Sequence, residues 1–303
     1  MKSIKTKKGL SSINYFISKR LTPYLFISPF FILFLVFWVW PIIMSFYYSL
    51  LRWDGMSEPI FIGILNYKKL FSDSLFYQAL KNTLILTFSY ELILIPLCLI
   101  VAVLLNLIPG TLQRFFRSGY FIPVTMSSVV VAIIFNLVLG KNFGLLNNFL
   151  NIIGIKQNID WLNNANTALW SILILRIWRN TGFYLLFIFA GLKAIPKALY
   201  EAATVDGANS RGIFFKITLP LLRPVITFVI FMSLIWQFQI FDEPWVLTGG
   251  GPNNATLTVL IYLYQRTFRE FNLGYGSAIS YIFTLIIAIL SILQIKLISG
   301  RER

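Results

Sequence analysis

Histidine is absent from this 303-residue chain, and cysteine occurs once, at Cys98. Without an imidazole there is no histidine general base and no His/Cys zinc site, and a lone thiol cannot close an intramolecular disulfide. Most hydrolase and redox chemistries are thereby excluded. No GxxxxGK[ST] phosphate-binding string occurs either, so the chain carries no P-loop nucleotide site of its own. Charge is scarce: Asp, Glu, Lys and Arg make up 12% of the residues against 57% hydrophobic. That is too little charge to solvate one globule and too much apolar surface for one core. What the sequence has in abundance is long uninterrupted apolar stretches.

A helix needs about 20 apolar residues to cross the hydrocarbon of a bilayer. Charge-free intervals run over 21–51, 118–140, 224–241 and 271–295, and two more, at 82–107 and 168–191, are interrupted only by Glu91 and by Arg176 and Arg179. The pattern predicts an all-α polytopic membrane protein with six transmembrane helices, at about 24–51, 82–107, 118–140, 168–191, 221–242 and 272–296. These spans lie in a transmembrane domain over 21–298, between a basic segment 1–20 and a short tail 299–303. Pro29 and Pro41 predict a kink or an early end in the first span. The stretch Pro244–Gln265 is also uncharged, but Gly249, Gly250, Gly251, Pro252, Asn253 and Asn254 in its middle are poor helix formers. It reads as a re-entrant or surface loop.

Six spans place both termini on one face. Lys and Arg outnumber Asp and Glu by 26 to 11. They concentrate in the terminal segments and in the loops carrying Arg114 and Arg117 and Lys193 to Arg223, which the positive-inside rule makes cytoplasmic. The basic excess is therefore topological and needs no nucleic-acid partner. The basic start followed by apolar sequence superficially resembles a signal peptide, but its apolar region is too long and no small-residue cleavage site follows, so it is expected to remain as the first span. Trp38, Trp40, Tyr47, Tyr48 and Trp53 are expected to be interface anchors or packing residues.

Between the fourth and fifth spans, Pro196 can open a helix, Leu199 to Ala203 continue it and Gly207 breaks it, while Ile213, Phe214, Ile217 and Leu221 form a second helical stripe. Glu201, Asp206 and the two alanines make a small, mostly apolar knob with charged edges, suited to a groove on another protein. The string EAATVDGANSRGIFFKITLPLLRP resembles the EAA loop of ABC importer membrane subunits. Glu201, Ala202, Ala203, Asp206, Gly207, Ile217, Leu219 and Pro220 fall on the motif. FIGILNYKKLF, the pair Asn82-Thr83, GLKAIP and LTGGGPNNAT extend the likeness over most of the chain, to the MalF-type branch of carbohydrate permeases.

This resemblance implies a permease subunit of an ATP-driven, binding-protein-dependent importer of sugars or oligosaccharides in a bacterial-type inner membrane, itself no enzyme. The loop at about 196–220 would be the coupling helix, docked in a cytoplasmic ATPase with Glu201 toward a basic group and Gly207 turning between two short helices. Implied partners are a second homologous permease, two ATPase subunits that hold ATP and Mg, and an extracellular solute-binding protein facing the loops at 52–81 and 140–166 and the Gly-rich segment. No cofactor or metal is implied for this chain.

Charged side chains near the bilayer centre are costly and usually face a bundle interior or a watery path. Arg176, Arg179, Asn180 and Phe183 share one face of the fourth span. Together with Ser233 and Gln237 in the fifth, they fall where the resemblance puts sugar contacts. Amides and hydroxyls can bond sugar hydroxyls, and aromatic faces such as Phe183 and Trp236 can pack on a pyranose. The arginines depart from the family pattern, and two explanations are open. An acidic saccharide could bring a carboxylate or phosphate to them, or Glu91, Asp242 or Glu243 could pair with them internally. The rival function is an ion-coupled secondary transporter or channel, which needs membrane carboxylates for its coupling ion, and Glu91 is the only acid deep within a span.

Overall fold

The computed structural model describes residues 21–155 and 158–299. The basic segment 1–20 and residues 300–303 of the tail lie outside the described residues. Five helices are long and apolar enough to cross a membrane: α1 (Leu21–Ser49), α3 (Ser74–Leu107), α7 (Ala168–Ala194), α9 (Ser210–Phe238) and α12 (Leu273–Ser299). The sixth crossing is a broken one. α4 (Gly110–Thr125) and α5 (Ser128–Val138) are bent by 100° at the intervening break. Short helices fill the connections: α2 (Leu65–Phe71), α6 (Leu145–Ile152), α8 (Lys197–Val205), α10 (Asp242–Thr248) and α11 (Val259–Tyr264). A two-stranded antiparallel pair, β1 (Leu51–Arg52) with β2 (Ile60–Phe61), closes the first loop.

Three expectations are corrected. The third span was expected as one helix at about 118–140. Instead Met126 and Ser127 take extended ψ values of 145° and 138°, so the ladder stops just after Pro123, which itself lacks a donor. The first span was expected to kink or end at its prolines. α1 is instead continuous, with a wide π-turn at Leu35–Val39 in which the Trp40 N–H reaches the Leu35 carbonyl just ahead of Pro41. The second helix starts eight residues before the expected 82, at Ser74, because Asp73 caps it: one carboxylate oxygen accepts from the Leu75 N–H at 3.0 Å and the Phe76 N–H at 3.4 Å. Hydropathy marks the part of a helix in lipid, whereas a cap marks where the helix begins.

The core sits between α3 and α7, where Leu86, Tyr90, Leu94 and Cys98 pack against Ile172, Leu175, Leu185 and Ile188. A second cluster joins the outer ends of α3, α11 and α12 through Phe76, Ala79, Ile261, Tyr262, Tyr275 and Ile279. The other Asp73 oxygen accepts hydroxyl hydrogens from both Tyr262 and Tyr275, so one carboxylate ties three helices. Burial opposes its ionisation, but these phenols and the capping amides outweigh burial and hold Asp73 below the usual carboxylate range.

The Gly-rich segment, read from sequence as a re-entrant or surface loop, folds onto the bundle as a turn between the short helices α10 and α11. Gly249 at φ +60° and Gly250 at φ +95° supply its turn. Asn82 then holds it by donating to the carbonyls of Asn254 at 2.9 Å and Leu257 at 3.0 Å, while Thr83 accepts from the Val259 N–H at 3.1 Å. The Asn82-Thr83 pair is thus the clasp of the outer hairpin α10–α11.

Packing of α4 on α7 depends on Gly182, where a Cβ would lie 1.9 Å from the Tyr120 carbonyl oxygen. Gly182→Ala is expected to destabilise the purified protein by about 1–3 kcal/mol. Gly119→Ala, on the same pair of helices with nothing within 4 Å, should melt at or above wild type. Thermal unfolding in detergent checks both. A second prediction concerns acid. A depressed carboxylate contributes stability that is present above the unfolded value, about pH 4, and is lost as the pH falls through the folded one. The melting-temperature gap between wild type and Asp73→Asn should therefore be open at pH 7 and close in acid.

Candidate functional site

α7 carries a run of polar side chains into the bundle, and the surrounding elements meet them. Arg176 is 8% exposed. It donates from Nε to the Gln237 Oε1 of α9 at 2.8 Å and from Nη1 to the Glu243 Oε2 of α10 at 2.8 Å. Arg179, one turn on, places Nη1 3.5 Å from Glu243 Oε1 and donates from Nη2 to the Met126 carbonyl at 3.2 Å. The second arginine thus satisfies the carbonyl freed where α4 breaks from α5, as non-helical backbone at membrane depth requires. Across the break, Ser128 donates to the Asp242 carboxylate. One node of two guanidiniums and one buried carboxylate therefore fixes α7, α9, the broken crossing and the outer hairpin to one another.

Over this node opens a cavity of about 600 Å³. Arg176, Arg179, Asn180 and Phe183 line it together, and Trp236, Tyr184 and Ser128 complete the wall used below. The Phe183 and Trp236 rings lie nearly parallel, with centroids 6.3 Å apart. Trp236 is 59% exposed, so it presents a free aromatic face. The ionised groups at the cavity balance, Arg176 and Arg179 against Asp242 and Glu243. The arrangement offers donors, acceptors and an apolar plate without net charge.

Two expected pathway residues stand elsewhere. Ser233 and Gln237 are fully buried and do not line the cavity. Ser233 donates to the Val229 carbonyl of its own helix at 2.7 Å, and Gln237 supports Arg176 from behind. For Arg176, the internal pair with Glu243 is the arrangement found. Tyr184 was overlooked, although it follows Arg176 and Asn180 at four-residue spacing and so shares their face. Nothing in the sequence marks Ser128, which the bend brings in. Glu91 does not line this cavity; it is shielded from solvent with Ser233 of α9 beside it. Among the described residues no group of three or more His, Cys, Asp or Glu gathers that could hold an ion.

At the opposite end of the bundle, α8 presents Glu201 and Ala202 to solvent while Ala203 turns inward, 9% exposed. Asp206 ends the helix and Gly207 follows at φ +77°. The Ala208 N–H bonds the Ala203 carbonyl at 2.9 Å and the Gly207 N–H bonds that of Thr204 at 3.1 Å. This is the Schellman closure that favours glycine at Gly207. The start of α9 is anchored by Asn209, whose side chain accepts the Gly212 N–H at 2.8 Å. Leu199 and Val205 remain exposed beside Glu201, giving a protruding apolar knob with an acidic edge.

Residues 94–301 match the family described as binding-protein-dependent transport system inner membrane component. The chain belongs to this family. This permease is 40% identical over 286 residues to an arabinooligosaccharides transport system permease protein of Bacillus subtilis, covering 94% of this chain and 90% of that one. It is 38% identical over 284 residues to a lactose transport system permease protein of Rhizobium radiobacter, covering 92% and 94%. In fold it is similar to a chain of a bacterial ABC transporter involved in the import of the acidic polysaccharide alginate, with a TM-score of 0.84 and 22% identity over 95% of this chain and 99% of that one. The permease is a multi-spanning transport subunit rather than an enzyme, and the ion-coupled carrier and channel are set aside on family membership.

Removing the carboxylate from the node leaves the buried Arg176 guanidinium without its ion-pair partner and takes the same partner from the half-buried Arg179. Glu243→Gln is expected to cost about 3–5 kcal/mol, read as a lowered melting temperature in detergent. Replacing Arg176 and Glu243 together with Met and Leu should recover most of it. A Glu243→Gln protein that melts like wild type would contradict the node.

Proposed function

We propose that this permease forms one half of an ATP-driven importer of sugars or oligosaccharides, with the Phe183–Trp236 cavity as its saccharide site. The observation that carries this reading is a charge-balanced polar cavity that presents stacked aromatic faces, on a subunit whose relatives are named for oligosaccharide and disaccharide transport. Sugars are polar around their edges and apolar on their faces, and the cavity offers both kinds of partner.

The assembly follows from what the chain lacks. With no nucleotide-binding string of its own, it needs a separate motor. In this reading two cytoplasmic ATPase subunits bind ATP and Mg, and the knob around Glu201, Ala202, Ala203, Asp206 and Gly207 seats in one of them. A second homologous permease closes the pathway, and an extracellular solute-binding protein delivers substrate to the outer hairpin. The lysine and arginine asymmetry supports a cytoplasmic position for both termini and for α8. Closure of the motor pulls α8 and, through α9, shifts the wall that carries Trp236, so that the cavity is offered alternately to the two sides.

Charge balance at the cavity suits an uncharged saccharide. Arg179 supports a second, acidic reading, because it lines the cavity and its contact with Glu243 is the longer one. A guanidinium in that wall would donate to a uronic carboxylate.

Reconstituted with its partners, the permease should take up neutral oligosaccharide only with ATP. Glu201→Lys should lower uptake about tenfold or more, the loss of a charge-assisted contact, while the binding protein still captures substrate. Uptake at the wild-type rate in that variant would refute the coupling role. In competition, neutral oligosaccharides should displace the substrate fully. Arg179→Gln should weaken competition by uronic oligosaccharides more than competition by neutral ones.

A further inference from the structure

The groove between α4 and α7 does not end at the cavity. Along it toward the coupling end lies a second cavity of about 610 Å³, lined by Arg114, Arg117, Ser118, Phe121, Thr125 and Leu186, with Ile122 beside them. Arg114, Ser118, Phe121 and Thr125 recur at three- and four-residue spacing, so they share one face of α4. Val124 and Ser128, at the outer end of the same crossing, line the first cavity. On α7, Leu186 stands one turn from Phe183. The two cavities therefore lie at successive levels along the same crossing and α7.

The inner chamber shares some of the outer one's chemistry but has neither its carboxylates nor its amides. It has guanidiniums, hydroxyls and a phenyl ring, but no carboxylate in its wall. Among the described residues neither Arg114 nor Arg117 takes part in an ion pair. Arg114 gives Nε to the Gly110 carbonyl at 3.3 Å and keeps its other donors. Arg117 lies over the Phe189 ring at 5.1 Å, with its Nε shielded and without a partner. Thr125 donates to the Ile122 carbonyl at 2.8 Å, which leaves its oxygen free to accept. Topology accounts for arginines at this end of the bundle. It does not account for two of them converging with Ser118, Thr125 and Phe121 on one cavity.

We propose that this inner chamber is a second saccharide site on the release side, which a polyhydroxylated solute occupies after leaving the Phe183–Trp236 cavity and re-occupies from the cytoplasm when it accumulates there. Arg114 and Arg117 donate to sugar oxygens and Phe121 packs against a ring face. Cytoplasmic saccharide then holds the groove from below, and import is limited by its own product. The proposal rests on the saccharide reading of the outer cavity.

The test uses the assembled transporter in nanodiscs, free of nucleotide and of binding protein, titrated with the saccharide it imports. Wild type should show two classes of site. Trp236→Ala should remove one class, and Arg114→Gln with Arg117→Gln should weaken the other about a hundredfold, as expected for two lost charge-assisted hydrogen bonds. Ser118→Trp, which fills the chamber and keeps both charges, should abolish that second class. It guards against a folding defect in the arginine variants, whose elution by size exclusion is compared with wild type. Binding unchanged in the arginine pair and in Ser118→Trp would overturn the proposal. So would native mass spectrometry showing that the arginine variants lose a tightly held anionic lipid instead. A wild-type transporter that imports saccharide yet has one class of site refutes the inner chamber alone. One that neither imports nor binds saccharide refutes the outer reading as well.

Discussion

An arginine inside a membrane must find a counter-charge, and much of this permease's outer half is arranged around that requirement. Arg176 and Arg179 converge on Glu243, which is 1% exposed. Glu243 comes from the helix after the fifth crossing, so meeting it folds the outer hairpin back onto α7. Arg179 also reaches the Met126 carbonyl and so makes the 100° break of the third crossing tenable. Breaking one contact in such a node leaves an uncompensated charge, which is far costlier than the net worth of the pair. The arrangement is therefore all-or-none, and the cavity above it is correspondingly well defined.

The two ends of the bundle are built by different means. At the outer end, side chains clasp backbone: Asn82 and Thr83 hold the Gly-rich loop, and Asp73 gathers α3, α11 and α12. At the coupling end, α8 is a short helix closed by Gly207 and left with Leu199, Val205 and Glu201 in solvent. The bundle is thus braced at one end and protrudes at the other. Between them α4 and α7 touch at Gly182.

Composition and spacing made the all-helical membrane architecture, the exposed knob at α8 and the shared face of Arg176, Arg179, Asn180 and Phe183 legible. Glu243 stood among three carboxylates able to meet the arginines, but choosing it required knowing that α10 folds inward. Ser233 and Gln237 carry the right chemistry for a pathway. Whether they face a cavity or a neighbouring helix depends on how α9 is rotated, which polarity in a mostly apolar helix does not specify. The break at Met126 and Ser127 follows a proline that many helices in membranes tolerate. Only the tertiary partners Arg179 and Asp242 make the break favourable here. Asp73 illustrates the opposite case, since an aspartate ahead of a helix is a readable cap that hydropathy alone passed over.

The most direct measurement is a high-resolution structure of the assembled transporter with an oligosaccharide in transit. The account predicts ligand density against the Phe183 and Trp236 faces, within hydrogen-bonding reach of Arg179 and Asn180, with Arg176 still joined to Glu243. Density placed away from those rings, or a ligand seated in the space where Arg176 and Glu243 now meet, would contradict it.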